Sequence, residues 1–202
     1  MEAVPRVYYE DHEIIIPGKP FGMSSQDDLT GTGSLLQYFP GTHVITRLDK
    51  RVGGLMILAK NTVSAEKYTR LLQENLLEKV YHCVIGKRPE KEEETLLHWI
   101  KKESRARVFK EEVRGAKKAV LHYKVVRSSE RYHLLEVRIS TGRFHQIRAQ
   151  LAAIGSPIVG DLKYGYKRST PDGSLFLCCT RIVLAGISVE MPLPEVWGRY
   201  GV

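Results

Sequence analysis

The stretch Ala119–Ile139, AVLHYKVVRSSERYHLLEVRI, restricts the fold more than any other part of the chain. Apolar and polar side chains alternate on both sides of Ser128-Ser129-Glu130-Arg131. That period of two suits a strand with one buried face and does not suit a helix. Two such runs joined by a short polar turn predict an antiparallel β-hairpin.

The rest of the chain extends this pattern. VYYEDHEIII begins as a strand and is expected to end in a turn at Pro17, Gly18 and Pro20. The polar, glycine-rich Phe21–Ser34 reads as loop, Leu35–Phe39 as a short helical piece, and His43–Thr46 as strand. Gly53–Lys60, GGLMILAK, is a continuous apolar run of strand length, as expected for a strand covered on both faces. The period then changes. From Asn61 to Lys79, residues Val63, Ala65, Tyr68, Leu71, Leu72, Asn75 and Leu76 fall on one stripe, and Asn61 or Thr62 can cap an amphipathic helix. Lys79–Gly86 returns to strand, and the charged KRPEKEEE reads as a solvated loop within a segment, 87–117, that has the character of an insertion. A second helix is expected over Arg143–Gly155, where Phe144, Ile147, Leu151 and Ile154 recur at helical spacing, Thr141 can cap and Gly155 can stop it. SPIVGDLKYG is a loop with a tight turn, and Ser174–Gly186 is a late strand or hairpin. Strands outnumber helices and are joined locally, so the expected class is α+β: a large mostly antiparallel or mixed sheet with a few flanking helices. The 202 residues suit a single domain with a core of its own.

Composition narrows the function. Thirty-one Lys and Arg against twenty-three Asp and Glu give a formal charge of +8, which favours a polyanionic partner such as nucleic acid. Cys83, Cys178 and Cys179 lie in apolar stretches, are odd in number and form no Cys-x-x-Cys pair. Free thiols in a reducing compartment are expected, with neither disulfide nor zinc. The N-terminus has no signal-peptide pattern and no apolar run approaches membrane-spanning length, so a cytoplasmic protein without a membrane partner is expected.

Two stretches carry chemistry. In TRLDKRVGG, Asp49 stands among Arg47, Lys50 and Arg51. It fits a carboxylate that neutralises cations at a turn. It also fits an ionised carboxylate held ready as nucleophile or general base, mounted on the apolar run that follows. In TGRFHQIRAQL, Arg143, His145, Gln146 and Arg148 crowd the start of the second helix. A solvated polar face is one reading, and a binding site for phosphate or carboxylate is the other. No second His or Cys stands at ligand spacing from His145, so no metal is expected. GTGSLL, Gly31–Leu36, is an incomplete dinucleotide fingerprint, and no phosphate loop is present. Tyr81 fits a core position or a ring that stacks on a base. Cys83 has no activating base nearby in sequence.

Together these stretches resemble the RluA-type RNA pseudouridine synthase family, in order over nearly the whole chain. DHEIIIPGKPFGMSS is similar to the opening segment with its Lys-Pro-x-Gly, here Lys19, Pro20 and Gly22. TRLDKRVGGLMILAKN resembles the His-Arg-Leu-Asp segment, KVYHCVIG the segment of the active-site tyrosine, and TGRFHQIRAQLAAIGSPIVGDLKYG the Gly-Arg-x-His-Gln-Ile-Arg stretch with its Gly-Asp-x-x-Tyr-Gly turn. The resemblance implies the pseudouridine synthase fold around a central active-site cleft. It implies Asp49, Tyr81 and Arg148 as catalytic residues, with Arg148 pairing the catalytic aspartate and Arg47 helping to flip the target nucleotide. Lys19, Arg143, His145, Gln146, Arg105, Arg107, Lys117 and Lys118 are expected to bind RNA, with Lys110 among the supporting cations. The implied partner is ribosomal or transfer RNA, with no metal or small-molecule cofactor. The expected form is a monomer of one catalytic domain, 1–202, without the separate S4-like N-terminal module of many relatives. The chain departs from the family pattern at Thr46 (usually His), Val52-Gly53-Gly54 (usually Thr-Ser-Gly), Phe144 (commonly Thr) and Ala149-Gln150 (commonly Val-His). A non-catalytic RNA-binding protein on the same scaffold is the alternative. Product formation separates it from an enzyme, whereas salt-dependent binding fits both.

Overall fold

The computed structural model describes residues 4–27 and 33–202. Of the incomplete fingerprint, Gly31 and Thr32 lie outside the described residues, as does part of the expected loop before it. The chain, expected as one catalytic domain, groups into two compact units. The first takes residues up to Lys79 together with Cys178–Pro192, and the second takes Val80–Leu177 with Leu193–Val202.

In chain order the elements are β1 (Val7–Glu10), β2 (Ile14–Lys19), α1 (Leu35–Tyr38), β3 (His43–Val44), β4 (Gly53–Leu55), β5 (Leu58–Ala59) and α2 (Thr62–Gln73). They continue with β6 (Leu77–Ile85), β7 (Glu93–Lys102), β8 (Ala106–Phe109), β9 (Lys117–Ser128), β10 (His133–Ile139), α3 (Gln146–Ala153), β11 (Leu177–Leu184) and β12 (Ile187–Glu190). Short 3-10 helices lie at Leu162–Tyr164 and Glu195–Tyr200. The architecture is α+β, as the alternation of short periods predicts. Among the described residues no helix is long and apolar enough to cross a membrane.

In the first unit β2 runs antiparallel to β1, β4 and β5, β3 pairs with β5, and β11 joins β4 in parallel. β12 folds back on β11 through Ala185 and Gly186, both at positive φ, which is the backbone a two-residue hairpin turn needs. Two expectations are corrected here. β2 continues through Pro17 and Gly18 instead of turning there. An irregularity in β1 between Val7 and Tyr9 lies opposite, so the proline, which has no N–H to give, meets a break in the ladder. The apolar run is also two strands, because Met56 and Ile57 leave the ladder between β4 and β5. Met56 N–H donates to Pro17 O, and Ile57 N–H donates to the Thr46 hydroxyl at 2.9 Å. Every residue from Gly53 to Ala59 is buried, as expected.

α2 is capped by the Asn61 side chain, which accepts the Ser64 N–H at 2.8 Å. Asn75, at positive φ, lies just past its end, well before Lys79. Its buried face is Ser64 and Tyr68 flanked by Ala65, Leu71 and Leu72. Val63 and Leu76, expected on the buried stripe, are exposed. Lys67 and Tyr68 both hold the Glu13 carboxylate, which pins the helix to the β1–β2 hairpin.

The second unit is an antiparallel sheet in the order β6-β10-β9-β7-β8. The expected hairpin forms β9 and β10 with its turn at Ser129–Tyr132. α3 packs on β7, β8 and β9 through Ala149, against Ile100, Ala106 and Ala119. It begins at Gln146, later than predicted, so Arg143 and Phe144 precede it. Gly155 stops it at positive φ. Its N–H donates to Ala152 O while Ser156 N–H donates to Leu151 O, closing the helix as predicted.

Candidate active site

Asp49 opens a tight turn in the first unit, with Val52 N–H donating to its carbonyl at 2.9 Å. The turn is tied down on several sides. Ser25 donates its hydroxyl to Leu48 O at 2.7 Å and accepts the Leu48 N–H at 3.1 Å. Gly22 N–H donates to Lys50 O. Thr46, which stands where the family usually has His, is buried and takes the Ile57 N–H. Leu48 packs on Met23, Leu35, Met56 and Leu58. A carboxylate on such a turn has little freedom to reorient, which is the mechanical requirement for a catalytic group. Arg47 is exposed beside it.

Val52-Gly53-Gly54 also has a physical cause. The space a Gly53 Cβ would need is filled by the Phe21 ring, 2.8 Å away. Gly54 has φ +121°, and its missing Cβ would lie 2.4 Å from Cys179 backbone N and O across the parallel β4–β11 contact. The two glycines let β11 and Phe21 close directly behind the Asp49 turn.

Lys19, expected among the RNA-binding cations, is only 2% exposed. Its ammonium donates to the carbonyls of Met23 (2.7 Å), Pro20 (3.0 Å) and Lys50 (3.4 Å). Burial lowers its pKa to about 7, opposed chiefly by the negative charge of Asp49. It therefore braces the loop around Asp49, because a phosphate could reach it only by displacing these contacts.

The second unit carries the other expected residues. Tyr81 is buried on β6 and pairs with Val137 of β10. Arg148, on α3, is buried and grips Asp161 with two parallel bonds, Nε to Oδ2 at 2.7 Å and Nη2 to Oδ1 at 2.9 Å. Its guanidinium lies over the Tyr164 ring, 5.1 Å from the centroid. This pair is charge-assisted, bidentate and desolvated, and it fixes the guanidinium plane. Asp161 and Tyr164 belong to the GDLKYG turn, to which sequence reasoning assigned no role; the signal was an acid flanked by glycine and aromatic residues after the Arg148 helix.

Around α3 the structure redistributes the expected roles. Thr141 does not cap the helix. It donates to Gln146 Oε1 and accepts the Val120 N–H. Gln146 is buried, takes the Arg143 N–H and donates to Val120 O, so it staples the chain to β9 and has no open face for RNA. His145 is the residue before the helix, at φ +51° and without a capping bond. Its Nδ1 meets the Tyr164 hydroxyl at 2.9 Å and its ring stacks on Phe144. The Tyr164 hydroxyl also accepts the Ala106 N–H, which joins the GDLKYG turn to the basic β7–β8 hairpin. Arg105, Arg107, Lys110, Lys117 and Lys118 are exposed, as phosphate-binding cations must be, and Arg143 donates Nε to Lys118 O.

The model of a family described as RNA pseudouridylate synthase matches residues 35–153, which include Asp49, Tyr81 and Arg148. A ribosomal large subunit pseudouridine synthase C from Rickettsia bellii is 32% identical over 95% of this chain and 69% of its own length. A ribosomal large subunit pseudouridine synthase D from Haemophilus ducreyi is 31% identical over 83% of this chain and 55% of its own. Among solved structures, human RNA pseudouridylate synthase domain containing 4 superposes with a TM-score of 0.81 at 20% identity, covering 95% of this chain and 90% of that one, a likeness of fold.

Proposed function

Because the chain belongs to the RNA pseudouridylate synthase family, we propose that it isomerises specific uridines of ribosomal RNA to pseudouridine, with Asp49 as the catalytic carboxylate. The reaction breaks the N1–C1′ bond, turns the detached uracil and joins C5 to C1′. The C5 proton leaves and N1 gains one, so nothing is consumed. The observation that carries the assignment is the Asp49 turn, held by Ser25, Gly22, Thr46 and the Lys50 carbonyl's contact with Lys19.

In this mechanism the Asp49 carboxylate acts on the ribose, by attack at C1′ or by taking the C2′ proton. Tyr81 stacks on the base or moves the C5 proton. Arg148 is the second charged catalytic residue, its guanidinium held in one orientation by its two bonds to Asp161. Arg47 helps to offset the few kcal/mol that extruding a nucleotide generally costs. The exposed cations Arg105, Arg107, Lys117 and Lys118 hold phosphates without reading sequence. The protein works as a cytoplasmic monomer without metal or cofactor.

The test is chemical mapping of pseudouridine in ribosomal RNA incubated with the protein. Asp49→Asn should abolish product while RNA binding stays measurable. Undiminished product from that variant refutes the assignment.

A further inference from the structure

A second aromatic and basic surface lies on the second unit, apart from the residues assigned to the reaction. Tyr132 closes the β9–β10 turn, Tyr166 follows the GDLKYG turn and Tyr200 ends the last 3-10 helix, and all three are half-buried. They form one cluster. The Tyr132 and Tyr200 rings meet edge to face with centroids 4.9 Å apart, and Tyr166 lies near both, its pKa raised by burial first and then by the neighbouring Tyr132 and Tyr200. Beneath them Phe176 touches Tyr200 edge to face and stacks on the buried Trp197. The Ser129 hydroxyl donates to Tyr200 O, which anchors the C-terminal segment to the hairpin turn.

Each tyrosine adjoins an exposed cation in sequence: Arg131 before Tyr132, Lys167 and Arg168 after Tyr166, and Arg199 before Tyr200. The exposed acids in these segments are Glu130 and Glu195, so cations outnumber them. Aromatic rings on a rigid base, interleaved with arginines, are what a single-stranded nucleic acid needs: rings for bases and cations for phosphates. The chain's net charge of +8 agrees in sign.

We propose that the Tyr132–Tyr166–Tyr200 cluster with Arg131, Arg168 and Arg199 is an accessory contact for single-stranded RNA flanking the modified uridine. The proposal rests on the pseudouridine synthase assignment only for which RNA is bound. Its place in the sheet makes it a flanking contact. Tyr81 pairs with Val137, whereas Ile85 pairs with His133 next to Tyr132. Four residues of strand, roughly 13 Å, therefore separate the cluster from Tyr81.

The experiment titrates a fluorescent oligouridylate of about twelve nucleotides, a length within the usual range for single-strand sites, over a series of salt concentrations. Three phosphate contacts on a single strand contribute about two to the slope of log affinity against log salt. The triple variant Arg131→Ser, Arg168→Ser, Arg199→Ser, altered only at exposed positions, should lose that much slope at an unchanged melting temperature. Tyr132→Leu should weaken binding at least about fivefold, the minimum usual for one lost base stack. A slope in the triple variant equal to that of the wild type overturns the proposal, and pseudouridine formed by the wild type in that case leaves the function standing without it. A reduced slope upholds the surface whether or not pseudouridine forms.

Discussion

Replacing Gly54 by Ala should cost this protein a large part of its stability. The added Cβ would lie 2.4 Å from Cys179 N and O and 2.8 Å from its Cα, all backbone atoms of the neighbouring strand. No side chain can rotate away to make room. The position also has φ +121°, outside the regions an L-residue occupies comfortably. Inserting a methyl into a packed core typically costs about 1–3 kcal/mol, and holding a non-glycine residue in a sparse backbone region about 1–3 more. The sum, roughly 2–6 kcal/mol, is a large share of the ~5–15 kcal/mol that stabilises most domains. For a chain of this length each kcal/mol moves Tm by about 2–4 °C, so a fall of roughly 5–20 °C is expected. Gly142→Ala is the control, because its added Cβ would meet nothing within 4 Å. Thermal unfolding followed by circular dichroism reads both. A Gly54→Ala protein melting within a degree or two of wild type would show that β4 and β11 do not hold the close approach described, and the mount proposed for Asp49 would fall with it.

Three further outcomes follow from the site and its supports. Ser25→Ala leaves the part-buried backbone N–H and carbonyl of Leu48 without their partner, so it should cost about 1 kcal/mol for each bond lost in urea unfolding and lower kcat more than it raises KM. Arg148→Lys cannot reproduce the two-point grip on Asp161, and breaking a buried pair typically costs about 3–5 kcal/mol; stability close to wild type would refute a structural role for that pair. Glu13 has its pKa lowered, first by the hydrogen bond from Lys67. A lowered carboxyl pKa means that its contribution is complete above the ordinary value of 4.5 and is lost as pH falls through the folded value. The Tm of Glu13→Gln should therefore lie below wild type at neutral pH and converge with it in acid, and a gap independent of pH would exclude the ionic contact.

Much of the candidate site was legible in the order of residues. Asp49, Tyr81 and Arg148 each sit in a stretch whose local pattern is distinctive, and local patterns survive in one dimension. The placement of the supporting polar groups was not legible. Lys19 and Gln146 look like surface residues by composition, yet both are buried, because each finds partners that remove the penalty of leaving water. Lys19 finds backbone carbonyls of its own loop and of Lys50, and Gln146 finds Thr141, Arg143 and Val120.

Alternation alone determined that Ala119–Ile139 is a hairpin, and the change to a helical period determined that α2 follows β5, since both depend on side chains a few positions apart. Only the tertiary structure decided why Gly53 and Gly54 follow the charged cluster. Their cause is Phe21 and Cys179, the latter more than a hundred positions away along the chain. It also decided that Arg148 holds Asp161, and that Tyr132, Tyr166 and Tyr200, from three separate segments, share one surface. Contacts between distant residues are set by how the strands pair, and one sequence read along its length does not contain that pairing.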